Sequence, residues 1–212
     1  FFDLGFMALY HFMHYTCICC CPIKHLTQWY KGIDLEIPLI RILKSSLLIL
    51  GIANYSVALE VGDEAPDFRL QATDGNSYKL SDVLEQEAVV LAWFPFAGTR
   101  GCTIECKSLA QNGHLLKNLA VTYFMASVDP IEDNQEFAEE NNADFPLLSD
   151  PTKQTAKDYD VLSLGWYAKR HTFYIGRDGV ILYVDRDVRP ETSAEDMAQK
   201  LVDLGIPQRK AS

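Results

Sequence analysis

Seven consecutive apolar residues, Ala88–Phe94 (AVVLAWF), constrain this chain more than any other stretch. The run has strand length and no polar alternation, so it reads as a strand buried on both faces. Such a strand needs cover above and below. A second run, VTYFMASVD (Val121–Asp129), has the same character. Between them, CTIECKSLAQNGHLLKNL places Ile104, Leu109, Leu115, Leu116 and Leu119 at roughly helical spacing. Strand, crossover helix and strand make a parallel pair.

The elements around this unit continue the alternation. VGDEAPDFRLQATDGNSYKLSDV reads as extended segments, with Asp74-Gly75-Asn76 as a hairpin turn. NQEFAEENN (134–142) reads as a helix with an Asn start, and FPLLSD as a short extended segment. PTKQTAKDYDV reads as a helix with Pro151 in its first turn. HTFYIGRDGVILYVDRD is a hairpin turning at Arg177-Asp178-Gly179. TSAEDMAQKLVDLG carries a capping box, Thr192 with Glu195, and ends at Gly205. The expected order is β-α-β-α-β-α-β-β-α. The fold class is therefore α/β, a central mixed sheet flanked by helices, preceded by an N-terminal extension.

The domain is expected over 59–206, with 207–212 as a tail. Residues 1–58 differ in character. They hold 4 Lys and Arg against 3 Asp and Glu, whereas 59–212 hold 15 against 26. Residues 1–36 are left unassigned, with three readings open: a poor membrane segment, a soft-metal tract, or upstream sequence translated from too early a start. Their cluster Cys17, Cys19, Cys20 and Cys21, with His25, lacks the paired spacing of a zinc site. Residues 37–58 follow the grammar of a secretory signal: Arg41 and Lys44, a short apolar core at Ser46–Ala53, and small residues at Ser56 and Ala58. The expectation is export to a periplasm or secretory compartment, with cleavage after Ala58, and a cytoplasmic protein if the segment is no signal. The net charge of −10 without a basic stripe argues against nucleic acid as a partner.

The chemistry concentrates after the first buried strand, where α/β sheets bind ligands. In WFPFAGTRGCTIECKSLAQ, Cys102 falls at the expected helix start. Free backbone N–H groups and the positive dipole end favour a thiolate there. Thr99 can offer a hydroxyl to that sulfur. Pro95 supplies a rigid wall without an N–H. Arg170, at the edge of the strand HTFYIG, is the expected cation; Arg100 is expected to face solvent. Taken singly, a lone Cys is usually a small buried hydrophobe and Thr99 a loop cap.

The pattern Pro95-x-x-x-Thr99-x-x-Cys102 resembles the active-site motif of peroxiredoxins. GCTIEC and RHTFYIGRDGVI, with VGDEAPDF at the domain start, resemble the bacterioferritin comigratory protein, or PrxQ-like, branch of the AhpC/TSA superfamily. The resemblance covers about Leu59 to Gly205. It implies a thioredoxin-like fold and thiol-dependent reduction of hydrogen peroxide and organic hydroperoxides, without metal or organic cofactor. It implies Cys102 as the peroxidatic cysteine, a pocket of Thr99, Pro95 and Arg170, and Glu105 in support. The partners implied are a hydroperoxide and thioredoxin or a similar thiol reductant, with the protein a monomer or weak dimer.

Two departures stand out. Arg100 occupies a position that is usually Pro. The branch commonly has its resolving cysteine five residues after the first; position 107 is Lys, and the second cysteine is Cys106. In an intact helix, residues four apart have Cβ atoms about 5–6 Å apart, against the roughly 3.5–4.5 Å that a disulfide needs. If Cys106 resolves Cys102, the first turn must unwind; otherwise an external thiol attacks the sulfenic acid. The expectation favours Cys106.

Three other readings compete. A thioredoxin-type oxidoreductase would want Cys-x-x-Cys. A Sco-like copper-binding protein would use Cys102, Cys106 and His171 as soft-metal ligands. Inert buried cysteines are the third.

Overall fold

The computed structural model describes residues 58–209. The 1–36 extension, with its cysteine cluster, and the signal-like segment up to 57 lie outside the described residues. Among the described residues no helix is long and apolar enough to cross a membrane.

The strands are β1 (Arg69–Ala72), β2 (Ser77–Lys79), β3 (Ala88–Trp93), β4 (Val121–Ser127), β5 (Leu147–Ser149), β6 (Leu162–Ser163), β7 (Tyr167–Ala168), β8 (Thr172–Ile175) and β9 (Ile181–Asp185). The helices are α1 (Leu80–Leu84), α2 (Arg100–Asn112), α3 (His114–Lys117), α4 (Ile131–Glu140), α5 (Gln154–Asp158) and α6 (Ser193–Asp203), the last entered through a 3-10 turn at Pro190–Thr192. Seven strands form one mixed sheet in the order β2-β1-β5-β4-β3-β8-β9, with β6 and β7 a separate small hairpin. The sheet's centre is parallel, β3 with β4 and β4 with β5. The β8–β9 hairpin joins it antiparallel at β3, and β1 joins antiparallel at β5.

All six residues of β3 are buried, as its apolar run requires. Their side chains alternate between two cores. Val89, Leu91 and Trp93 pack with Phe68, Phe124, Tyr159 and Phe173 on one face. Val90, Ala92 and Phe94 pack on the other with Cys102, Cys106, Leu109, Met125 and Met197. The second face lies under α2 and α6, so both cysteines belong to it.

Several elements differ from the sequence reading. The crossover helix is split at Gly113. A Cβ at that position would lie 2.6 Å from both the Leu109 carbonyl oxygen and the Tyr123 hydroxyl, so only glycine lets this segment approach β4. α4 starts at Ile131, after Pro130, rather than at Asn134. Asn134 is buried instead, accepting from Ser127 Oγ (3.1 Å) and donating to the Leu148 carbonyl (3.2 Å). α5 begins at Gln154, not at Pro151, because Lys153 takes a left-handed φ of 63°. Thr192 is the N-cap of α6 without capping it: its hydroxyl donates to Asp196 (2.7 Å), and Glu195 accepts from Asn112 (2.8 Å). Residues 207–209 are tied to the domain through Ala120 N–H to the Pro207 carbonyl and Arg209 N–H to the Asn118 carbonyl, both 2.8 Å.

Candidate active site

The site is built where β3 ends and α2 begins. Phe94 N–H still pairs with the Ala126 carbonyl (2.9 Å), so the chain leaves the sheet only at Pro95. The loop that follows is anchored from β4: Ala97 N–H donates to Asp129 Oδ2 (2.9 Å). Asp129 is held in turn by Ser127 Oγ and Ser149 Oγ. Gly98, at φ 75°, makes the reversal that brings Thr99 back over the helix start. Thr103 N–H donates to the Thr99 carbonyl (2.8 Å), so the first turn of α2 is closed.

Thr99 sits at the N-cap without capping the helix. Its Oγ1 lies 3.0 Å from Cys102 Sγ and 3.1 Å from the Phe96 carbonyl oxygen. A single hydroxyl proton can serve either acceptor, so a charged sulfur competes for it. Arg170 comes from the other side of the site. Its Nη2 lies 3.1 Å from Cys102 Sγ, and its Nη1 donates to Glu105 Oε2. The planar guanidinium thus spans sulfur and carboxylate. Gly101 leaves room for it: a Cβ there would stand 3.2 Å from Nη2.

Glu105 is fully buried, and its Oε1 has no hydrogen-bond partner. Burial pushes its carboxyl up to about 7, with Arg170 pulling the other way. Cys106, one turn beyond Cys102, is also fully buried and has no polar partner of the kind Cys102 has. Burial, with Glu105 and Cys102 nearby, pushes its thiol up to about 12. Both cysteines are free thiols in a continuous helix, so the disulfide that the sequence allows is not formed.

Of the expected site residues, the fold brings Cys102, Thr99, Arg170 and Glu105 into direct contact, with Pro95 at the root of the loop. Arg100 is exposed. His171 does not join them. Alternation along the strand puts Arg170 and Thr172 on the α2 side and His171 on the opposite face. There burial and the cations Lys169 and Arg186 push the imidazole below its ordinary range. Among the described residues no group of three or more His, Cys, Asp or Glu side chains is arranged to hold a metal. The copper alternative, which needs His171 beside the two cysteines, is set aside on that geometry. No site role was read for Phe96, Gly101 or Asp129 in the sequence, where Phe96 is loop, Gly101 lies at the expected helix start and Asp129 ends the second apolar run.

Comparison with known proteins shows the family and the fold. Residues 61–184 match the model of the AhpC/TSA family. A putative peroxiredoxin bcp of Helicobacter pylori is 31% identical over 150 residues, covering 68% of this chain and 98% of its own length. The crystal structure of peroxidoxin BcpB from Mycobacterium tuberculosis superposes with a TM-score of 0.63 at 30% identity, covering 68% of this chain and 97% of that one. PrxQ of Xylella fastidiosa, at 23% identity, shares the fold with a TM-score of 0.65, covering 71% and 99%. The chain belongs to the AhpC/TSA family, in its bacterioferritin comigratory protein, or PrxQ-like, branch of peroxiredoxins.

Proposed function

We propose that this protein is a thiol-dependent peroxidase that reduces hydrogen peroxide and organic hydroperoxides through Cys102. The observation that carries the reading is the convergence of Thr99 Oγ1 and Arg170 Nη2 on one sulfur at the N-terminus of α2. The Cys102 thiolate attacks the terminal oxygen of the hydroperoxide. The S–O bond forms as the O–O bond breaks, and the electron pair leaves with the alkoxide or hydroxide. Thr99 and Arg170 donate to the oxygens on which this charge develops, the role of an oxyanion hole. The departing oxygen takes a proton and leaves as alcohol or water, and Cys102 becomes a sulfenic acid.

Recovery requires a second thiol. In our reading Cys106 attacks the sulfenic acid, water is released, and thioredoxin or a similar dithiol reduces the disulfide. Closure needs the first turn of α2 to open, which also carries Cys106 out of the core that keeps its thiol protonated. Export through residues 37–58 is part of the reading and rests on sequence grammar; a mature protein beginning at Leu59 would support it, and an uncut chain in the cytosol would refute it.

The test is peroxide consumption by metal-free protein, first with dithiothreitol and then with thioredoxin and its reductase. Loss of both rates in Cys102→Ser, with loss of mainly the thioredoxin-driven rate in Cys106→Ser, is the expected result. Consumption that survives Cys102→Ser would overturn the assignment.

A further inference from the structure

One charge at the rim of the site is not used by the reaction. Thr99 turns in to Cys102 Sγ (3.0 Å), and a Cβ at Gly101 would stand 3.2 Å from Arg170 Nη2. Arg100 lies between these two residues and is exposed, so its side chain leaves the rim toward solvent. Its guanidinium has no ion-pair or hydrogen-bond partner among the described residues. The other described arginines are engaged. Arg69, Arg170, Arg186, Arg189 and Arg209 pair with carboxylates, and Arg177 donates to the Glu85 carbonyl (2.7 Å).

A cation in this position does not serve the helix. Arg100 is the first residue of α2, whose N-terminus has no side-chain cap and no acidic residue in its first turn. Positive charge there opposes the helix dipole. Nor does it answer a carboxylate of its own loop, since residues 94–104 (FPFAGTRGCTI) contain none. The two acids that reach the site are committed elsewhere. Glu105 is fully buried and held by Arg170, and Asp129 accepts from the Ala97 N–H (2.9 Å). Arg170 is spent on Glu105 and the sulfur, which leaves Arg100 as the unpaired cation at the rim. The chain as a whole, at net charge −10, repels anions, so any attraction for them is local to this residue.

We propose that Arg100 selects hydroperoxides that carry a carboxylate, binding that group at the rim while the terminal oxygen meets Cys102. The proposal rests on the peroxidase reading above. Arg100 touches none of the reacting atoms; it acts on the choice of substrate. A guanidinium takes a carboxylate through two parallel N–H donors, and at an exposed rim salt weakens the pair. A neutral hydroperoxide has nothing to place there. The contribution of Arg100 therefore appears in the ratio of charged to neutral substrate, whereas a general effect on the Cys102 thiolate would change both rates alike.

The experiment measures kcat/KM in the full chain, under dithiothreitol, for cumene hydroperoxide and for its para-carboxylate, which differ by one charge. At about 10 mM salt the carboxylate should be favoured about tenfold, and the preference should fade by about 0.5 M. Arg100→Gln should lower the ratio about fivefold and Arg100→Glu about twentyfold, mainly through KM, while Arg100→Lys should keep most of it. Arg69→Gln removes an equal charge from β1, which β5 and β4 separate from β3, and should leave the ratio where it is. An unchanged ratio in Arg100→Glu overturns the proposal, as does a wild type without a salt-sensitive preference. Equal loss of both rates would assign Arg100 to the thiolate instead, and an equal fall in Arg69→Gln would assign the effect to net charge; either overturns it. Activity that is absent toward both substrates in the wild type would refute the peroxidase reading itself.

Discussion

The first and second turns of α2 carry the same residue type under the same burial, yet they are chemically unlike. Cys102 and Cys106 are both 0% exposed. Cys102 has a hydroxyl at 3.0 Å and a guanidinium nitrogen at 3.1 Å. Cys106 has Leu109, Phe94 and Met125 among its cluster and a thiol pushed up to about 12. Exposure does not distinguish the two sulfurs; their partners do. Burial without donors keeps the Cys106 thiol protonated, whereas a hydroxyl and a guanidinium are aimed at the Cys102 sulfur.

The largest expected effect comes from removing the first sulfur. Cys102→Ser should abolish peroxide consumption, measured by loss of hydrogen peroxide under dithiothreitol, and Cys106→Ala should leave a sulfenic acid that dimedone labels. If Cys106→Ala failed to accumulate that adduct, the contrast between the two turns would not survive. Next comes the cation. Arg170→Met should cost about a hundredfold in kcat/KM. It should also destabilise the protein, by less than a stranded charge would, because burial makes Glu105 take up a proton once the guanidinium that lowers its pKa is gone. Adding Glu105→Gln to Arg170→Met should recover stability in urea titrations without recovering activity, which separates the two duties of the arginine. Thr99→Val should cost roughly tenfold to a hundredfold in peroxide attack, and Thr99→Ser should keep most of the rate.

The smallest effect is a pH slope. The folded protein holds the Glu105 proton more tightly than an ordinary carboxyl near 4.5, up to about 7. The contribution is therefore fully present below 4.5 and is lost as pH rises through about 7. Glu105→Gln should flatten stability across that window, measured as urea midpoints from pH 4.5 to 7.5. A slope that persists in the variant would assign it to another group.

Local spacing carried much of this site. Pro95, Thr99 and Cys102 lie within one loop and one helical turn, so a strand-loop-helix reading already puts them together. Arg170 was legible because it flanks a β-rich run that could only be a neighbouring strand. What failed was decided by contacts distant in sequence. Thr192 and Glu195 form a good local capping box, but Asp196 and Asn112 claim them. Asn134 looks like a helix start, but Ser127 and Leu148 draw it into the core. Gly113 reads as a tolerated glycine until the Tyr123 hydroxyl is seen against it. The β6–β7 hairpin left no signal, since strands of two residues lie below any period.

The antiparallel docking of β8 on β3 has a consequence for how activity is acquired. Arg170 lies 68 residues after Cys102, and its place depends on β8 registering against β3. Thr99 and Cys102 come together as soon as one helical turn forms, but the guanidinium arrives only after a long loop has closed, a slow event in chain folding. Newly made protein would thus acquire its secondary structure before its chemistry, and the onset of peroxide consumption during refolding would time the closure of that single strand pair.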